Sequence, residues 1–136
     1  MNNEKIQEAT ILAIQEPHAR KSQGRLLTTP MTHHKWSKMV PSTWREGRWA
    51  IRSLLWVNKD VEAEQVPIES PDITAAIIRL PGRLVFVASV YVPGEDAQAL
   101  RDTCTNLREA IADTKLKAST VVDVVIAGDF NRHDQL

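Results

Sequence analysis

The chain predicts a mixed α/β domain, with its helices lying outside a mostly extended framework. Three observations predict this. Two apolar runs, Ile73 to Leu80 and Leu84 to Val92, are separated by Pro81-Gly82, a favourable type II turn pair. From Asp96 onward, Ala97, Leu100, Cys104, Leu107 and Ile111 recur every three or four residues. A β-branched run, Val121-Val122-Asp123-Val124-Val125-Ile126-Ala127, follows and is closed by Gly128. Antiparallel strands followed by a helix and a further strand place helices against a mixed sheet.

In order along the chain, Glu4 to Ala9 reads as the end of a polar helix. Thr10 to Gln15 is a short apolar strand, closed at Glu16-Pro17 because the residue before proline favours extended backbone. His18 to Arg48 is polar and basic without a sustained period, and reads as a long loop with short local structure. Trp49 to Val57 reads as a strand, Asp60 to Glu64 and Ser70-Pro71-Asp72 as connections. Ile73 to Leu80 and Leu84 to Val92 form the hairpin. Asp96 is a plausible N-cap for the amphipathic helix, which ends near Thr114. The Val121 run is expected to be a buried strand.

A chain of 136 residues is expected to be one domain, and 43% apolar residues suffice for a core. The net charge is zero, but its distribution is not even. Between Pro17 and Lys59, nine Lys and Arg face one acid, Glu46, a balance of +8 that the remainder offsets with −8. Such separation marks a surface for a polyanion. A single cysteine, Cys104, excludes an intramolecular disulfide and a multi-cysteine zinc site. No apolar stretch is long enough to span a bilayer, and Met1-Asn2-Asn3-Glu4-Lys5 is not a signal peptide. An intracellular protein without membrane partners is expected.

Glu16 and Asp129 each stand just past a short apolar strand. If those strands are neighbours in one sheet, the carboxylates converge at one rim, and paired carboxylates among oxygen donors suit Mg²⁺. The plainer alternative is that acids end strands because strand ends are wet. Tyr91, in Tyr91-Val92-Pro93, either reaches a phosphate or caps the core with its hydroxyl in water. The basic segment interleaves Trp36, Trp44 and Trp49 with its charges, a composition suited to nucleic-acid backbone and bases. Trp49 and Trp56, in strand-like context, are expected in the core, whereas Trp36 and Trp44 fit either role. His18, His33 and His34 lack the spacing of a zinc site, and His133 is expected to be solvated.

Together, Ile14-Gln15-Glu16-Pro17, Tyr91-Val92-Pro93 and Gly128-Asp129-Phe130-Asn131 resemble the endonuclease/exonuclease/phosphatase (deoxyribonuclease I-like) superfamily. Within it, Arg52 to Lys59, Ser70 to Thr74 and Ser89 to Pro93 are most similar to the endonuclease domain of fungal LINE-type (non-LTR) retrotransposons. The resemblance covers nearly the whole chain but only the middle of the family domain. It implies an α+β fold, a partial two-sheet β-sandwich flanked by helices. It also implies that Glu16 binds a catalytic Mg²⁺, with Mn²⁺ as an alternative, and that Tyr91 lies near the scissile phosphate. Asp129 would orient or deprotonate the attacking water, and Asn131 would hold the phosphate. With DNA as substrate, Arg20, Lys21, Arg45 and Arg48 are the expected contacts. A retroelement origin implies a nuclear enzyme and a reverse transcriptase region in a longer polyprotein.

Three departures from the family pattern bear on activity. The family's first strand, with its site asparagine, precedes where this chain starts; Gly94 stands where asparagine is frequent; and the C-terminal aspartate–histidine pair is absent, His133 and Asp134 being too close to Asp129. Weak or no turnover by this chain alone is therefore expected. Two other functions fit the same residues: a non-catalytic remnant that binds nucleic acid through the basic segment 17–59, and a phosphatase acting on a phosphorylated small molecule.

Overall fold

Alternation of side chains along the strands sorts this protein into layers. The computed structural model describes residues 10–28 and 32–131. In chain order the elements are β1 (Ile11–Gln15), β2 (Ala19–Ser22), β3 (Arg25–Thr28), β4 (Trp36–Met39), β5 (Gly47–Arg48), β6 (Ser53–Asn58), β7 (Ala63–Val66), β8 (Ile73–Leu80), β9 (Arg83–Tyr91), α1 (Ala97–Lys117) and β10 (Val121–Asp129). They form a three-stranded sheet β1-β6-β4, a four-stranded sheet β10-β9-β8-β7 and a small sheet β3-β2-β5. All pairings are antiparallel except β9 with β10. The fold is therefore α+β, as expected, with one helix among the described residues.

Except for the edge strand β10, the strands of the two larger sheets contribute to two layers. From β8 and β9, Ile73, Ala75, Phe86, Ala88 and Val90 face α1 and meet Leu100, Leu107 and Ile111. The alternate residues Ala76, Ile78 and Val87 face the other sheet, where Leu55, Val57, Ile11 and Ala13 receive them. On the outer side of β6, Leu54 and Trp56 pack with Trp36 and Ile51, and with Leu12, Ile14, Ala19 and Leu26. A period of two thus serves both faces of the same strand. Full burial of side chains this size contributes about 1.5–3 kcal/mol each.

The hairpin and helix match the expectations closely. Leu80 pairs with Arg83 across Pro81-Gly82, and Gly82 takes φ 75°, which a type II turn requires at that place. The Asp96 carboxylate accepts the Ala99 N–H at 2.9 Å as N-cap. The helix runs to Lys117, past the expected end, with Lys115 and Lys117 in the last turn where cations favour the dipole. Of the apolar face read in sequence, Leu100, Leu107 and Ile111 pack against the core, and two positions depart from it. Thr103, Leu107 and Thr114 are buried, while Ala97 and Cys104 are exposed.

Other expectations need correction. The segment read as loop holds four short strands, because ladder hydrogen bonds rather than an apolar period organise it. The β2–β3 hairpin turns on Gln23-Gly24, both with positive φ (52° and 75°), a two-residue turn geometry more often carried by Asn-Gly. The connection read near Asp60 to Glu64 already contains the start of β7. Trp36 is buried and Trp56 belongs to the core, but Trp49 is 51% exposed. The strand β10, expected to be buried, lies at the edge of its sheet with Val121, Val124, Val125 and Ile126 exposed. The polar helix end read over 4–9, and His133 and Asp134, fall outside the described residues. Among the described residues, no helix is long and apolar enough to cross a membrane.

Candidate active site

The layer between the two larger sheets is apolar over most of its length and turns polar at one end. There the Gln15 amide donates to the Ser89 hydroxyl at 2.9 Å and to the Ala127 carbonyl at 3.4 Å. Ser89 donates in turn to the Ile14 carbonyl at 3.0 Å, and the hydroxyls of Ser53 and Thr74 meet at 2.9 Å. These bonds satisfy groups that would be costly to bury alone. They also tie the ends of β1, β9 and β10 together. Glu16, Tyr91 and Asp129 sit at or just past those ends, although β1 and β10 belong to different sheets and are not the ladder neighbours that the expected convergence assumed.

Glu16 is exposed and takes φ 51°, with its N–H donating to the Arg52 carbonyl at 2.9 Å. A left-handed conformation away from glycine costs about 1–3 kcal/mol and persists where surrounding structure enforces it. Here that structure is the Arg52 carbonyl on one side and buried Pro17 on the other. No cation pairs with the Glu16 carboxylate among the described residues.

Tyr91 pairs in parallel register with Asp129. The Val92 N–H donates to the Asp129 carbonyl at 2.8 Å, so the two chains stay together past the sheet end. One Asp129 carboxylate oxygen accepts the Asn131 N–H at 3.0 Å, and the Asn131 amide donates to the Val92 carbonyl at 2.9 Å. Asn131 is thereby held at φ 46°. Gly128 is required by proximity: a Cβ there would lie 2.9 Å from the Phe130 ring and 3.0 Å from the Val90 carbonyl oxygen.

An ion cluster centred on the buried Asp72 supports this rim. Asp72 takes two hydrogen bonds from Arg45, both at 2.7 Å, and two from Arg52, at 3.0 and 3.1 Å. Burial pushes the Asp72 carboxyl up, but the hydrogen bonds and charges of the two guanidinium groups outweigh it and hold it below its ordinary value. The same bond to Asp72 raises Arg45. Arg52 also stacks on the Tyr91 ring, 4.7 Å from its centroid, and the Tyr91 N–H donates to the Asp72 carbonyl at 2.9 Å. One arginine therefore touches Glu16 through its backbone and both Tyr91 and Asp72 through its side chain.

The four basic residues expected to contact substrate divide into pairs. Lys21 is engaged by Glu46, and Arg45 by Asp72. Arg20 and Arg48 are exposed, stand directly opposite each other on β2 and β5, and have no acidic partner among the described residues. They line a cleft with Glu16 and Trp49. Tyr91 lines a separate cleft with Arg45, Asp72 and part of α1. Sequence reasoning missed the roles of Arg52, Asp72, Gln15 and Ser89. Arg52 and Asp72 lie inside two of the segments that carry the family resemblance, yet their pairing joins residues 20 apart and no local pattern announces it.

Among the described residues, no three His, Cys, Asp or Glu side chains gather in one place. The donor set at this rim is carboxylate oxygen, and an exposed, unpaired Glu16 fits a hard divalent cation that keeps most of its waters. It does not fit a structural zinc site.

The layered arrangement is similar to a solved structure, the endonuclease domain of TRAS1, a telomere-specific non-LTR retrotransposon, with a TM-score of 0.66. The fold is of the endonuclease-domain kind. Identity is 15%, and the match covers 96% of this chain and 50% of that one, so this chain spans about half the length of that domain. No family model and no curated protein matches the sequence.

Proposed function

We propose that this chain carries part of a metal-dependent phosphodiesterase site of the endonuclease/exonuclease/phosphatase kind, acting on DNA as a nicking endonuclease of a fungal non-LTR retroelement. The observation that supports it best is the tying of the β1, β9 and β10 ends into one rim by Gln15, Ser89 and Arg52. In this reading Glu16 holds a Mg²⁺ ion, which when bound supplies charge neutralisation at the phosphoryl oxygens. Asp129 orients or deprotonates the attacking water with the carboxylate oxygen that Asn131 does not engage. The Asn131 amide, fixed by Val92, keeps one N–H for a phosphate oxygen. Tyr91, stiffened by the Arg52 stack, lies beside the scissile group. Preorganised donors of this kind need no reorganisation as charge develops.

Residues acting as a unit on one phosphodiester lose most of their effect when a single member is removed. Nicking of supercoiled plasmid in Mg²⁺, followed with time, tests the reading. The expected result is conversion that a chelator stops and that Asp129→Ala and Glu16→Ala each reduce by about 10²-fold or more. Nicking indifferent to both substitutions would overturn it.

A further inference from the structure

Trp49 is the most exposed of the four tryptophans. Its backbone takes φ 58°, a region bulky side chains rarely occupy, and about half of the residue is exposed. The cause is local. Arg48 is pinned in the ladder with β2, Ala50 and Ile51 are fully buried, and the Arg45 N–H closes the loop onto the Ala50 carbonyl at 2.8 Å. Between those anchors the indole can only point outward. It does so in the cleft that Glu16 also lines, beside Arg20, Arg48, His18 and Leu27. Arg20 and Arg48 face each other across the strands, where like charges repel. The acid of this basic segment, Glu46, is taken by Lys21, and neither arginine makes an ion pair among the described residues. Strain, an exposed aromatic face and two opposed cations therefore coincide in one cleft.

A bare phosphate would use the arginines and leave the indole idle. A nucleotide uses both, because every base offers a π-face and every link a phosphate. Within a duplex those faces are already stacked and out of reach. We propose that Trp49, Arg20 and Arg48 form a subsite for one unpaired nucleotide of a nucleic-acid strand, the indole stacking on the base and the guanidinium groups holding adjacent phosphates. It rests on reading the Glu16 cleft as a nucleic-acid site, and it adds a preference for single-stranded or locally opened substrate.

Fluorescence anisotropy tests it on the full chain in chelator, where no metal-dependent cleavage occurs. The probes are a short labelled oligothymidylate, an abasic strand of the same length and a blunt duplex. The expected order is oligothymidylate tightest. Trp49→Ala should weaken oligothymidylate about 10-fold and the abasic strand less than about 2-fold, in line with the loss of one base stack. Trp49→Gly, which suits the left-handed backbone, should show the same loss, and Trp49→Phe should retain most of the affinity. Replacing Arg20 and Arg48 together by alanine should weaken both strands and lower the salt slope by about 1.4, the value for two phosphates on a single strand. Equal affinity of wild type and Trp49→Gly for oligothymidylate, an equal loss on the abasic strand, or tighter binding of the duplex would overturn the subsite. Base-dependent binding without Asp129-dependent nicking would overturn the nuclease reading and leave the subsite standing.

Discussion

At the scale of single residues, Asp72 carries the most consequence per atom. Its carboxylate is buried and satisfied by four hydrogen bonds from two arginines that approach from different loops. Asp72→Ala leaves the partly exposed guanidinium groups of Arg45 and Arg52 without their acid, and losing hydrogen bonds of this kind costs about 1–3 kcal/mol. Urea unfolding at neutral pH measures it. The pH dependence has a definite sign. Because the folded carboxyl titrates below its ordinary value, its contribution is full above the unfolded value of about 3.9 and is lost as pH falls through the folded one. The stability gap between wild type and Asp72→Asn should therefore be constant near neutrality and narrow below about pH 4. A gap that widens on acidification would contradict the assignment. Gly128 is the second such residue. Gly128→Ala must move either the Phe130 ring or the Val90 carbonyl, at about 1–3 kcal/mol, and should displace Asp129 with them. Thermal unfolding reads the first effect, and loss of plasmid nicking the second.

Elements here are held by different means, which explains how well each could be read in advance. The helix and the β8–β9 hairpin carry their instructions locally: an Asp96 cap, a Pro81-Gly82 turn, a repeating apolar face. Asp96→Ala should accordingly cost about 1 kcal/mol in an unfolding titration, a cap-sized effect and no more. The strands between Ala19 and Arg48 carry no such instructions. Their side chains are mostly polar, their lengths two to four residues, and their order comes from pairing across the chain, Arg20 with both Leu27 and Arg48. A sequence without apolar alternation does not announce strands of that kind. The face of α1 was read correctly at Leu100, Leu107 and Ile111 but not at its margins, for a related reason. Thr103 and Thr114, polar by type, are buried, while Cys104, apolar by type, is exposed.

For the molecule as a whole, the sheet order has a cost. The four-stranded sheet ends at β10, where Val124 and Ile126 on one face and Val121 and Val125 on the other are in contact with solvent. An exposed, apolar edge strand templates further pairing. Purified chain should therefore self-associate with rising concentration in analytical ultracentrifugation, and Val124→Lys with Ile126→Lys should suppress it without lowering the unfolding midpoint. Association unchanged by those charges would locate the contact elsewhere. Charge is also arranged at this scale. A chain of zero net charge folds its basic segment into one small sheet and the strands beside it, so that Arg20 and Arg48 lie together near Glu16.

Composition, turn signals and periodicity were enough to determine the α+β class, the hairpin, the capped helix and the strand ends on which Glu16, Tyr91 and Asp129 stand. Those features depend on interactions within about ten residues, and short-range patterns record them. Tertiary structure alone decided that Gln15 and Ser89 tie three strand ends into a rim, and that Arg52 joins Glu16, Tyr91 and Asp72. It also decided that Lys21 and Arg45 are spent on acids, and that Trp49 faces a cleft rather than the core. Each of these follows from contacts between segments tens of residues apart, where burial and pairing are settled by what the fold brings alongside and not by the residue's own type.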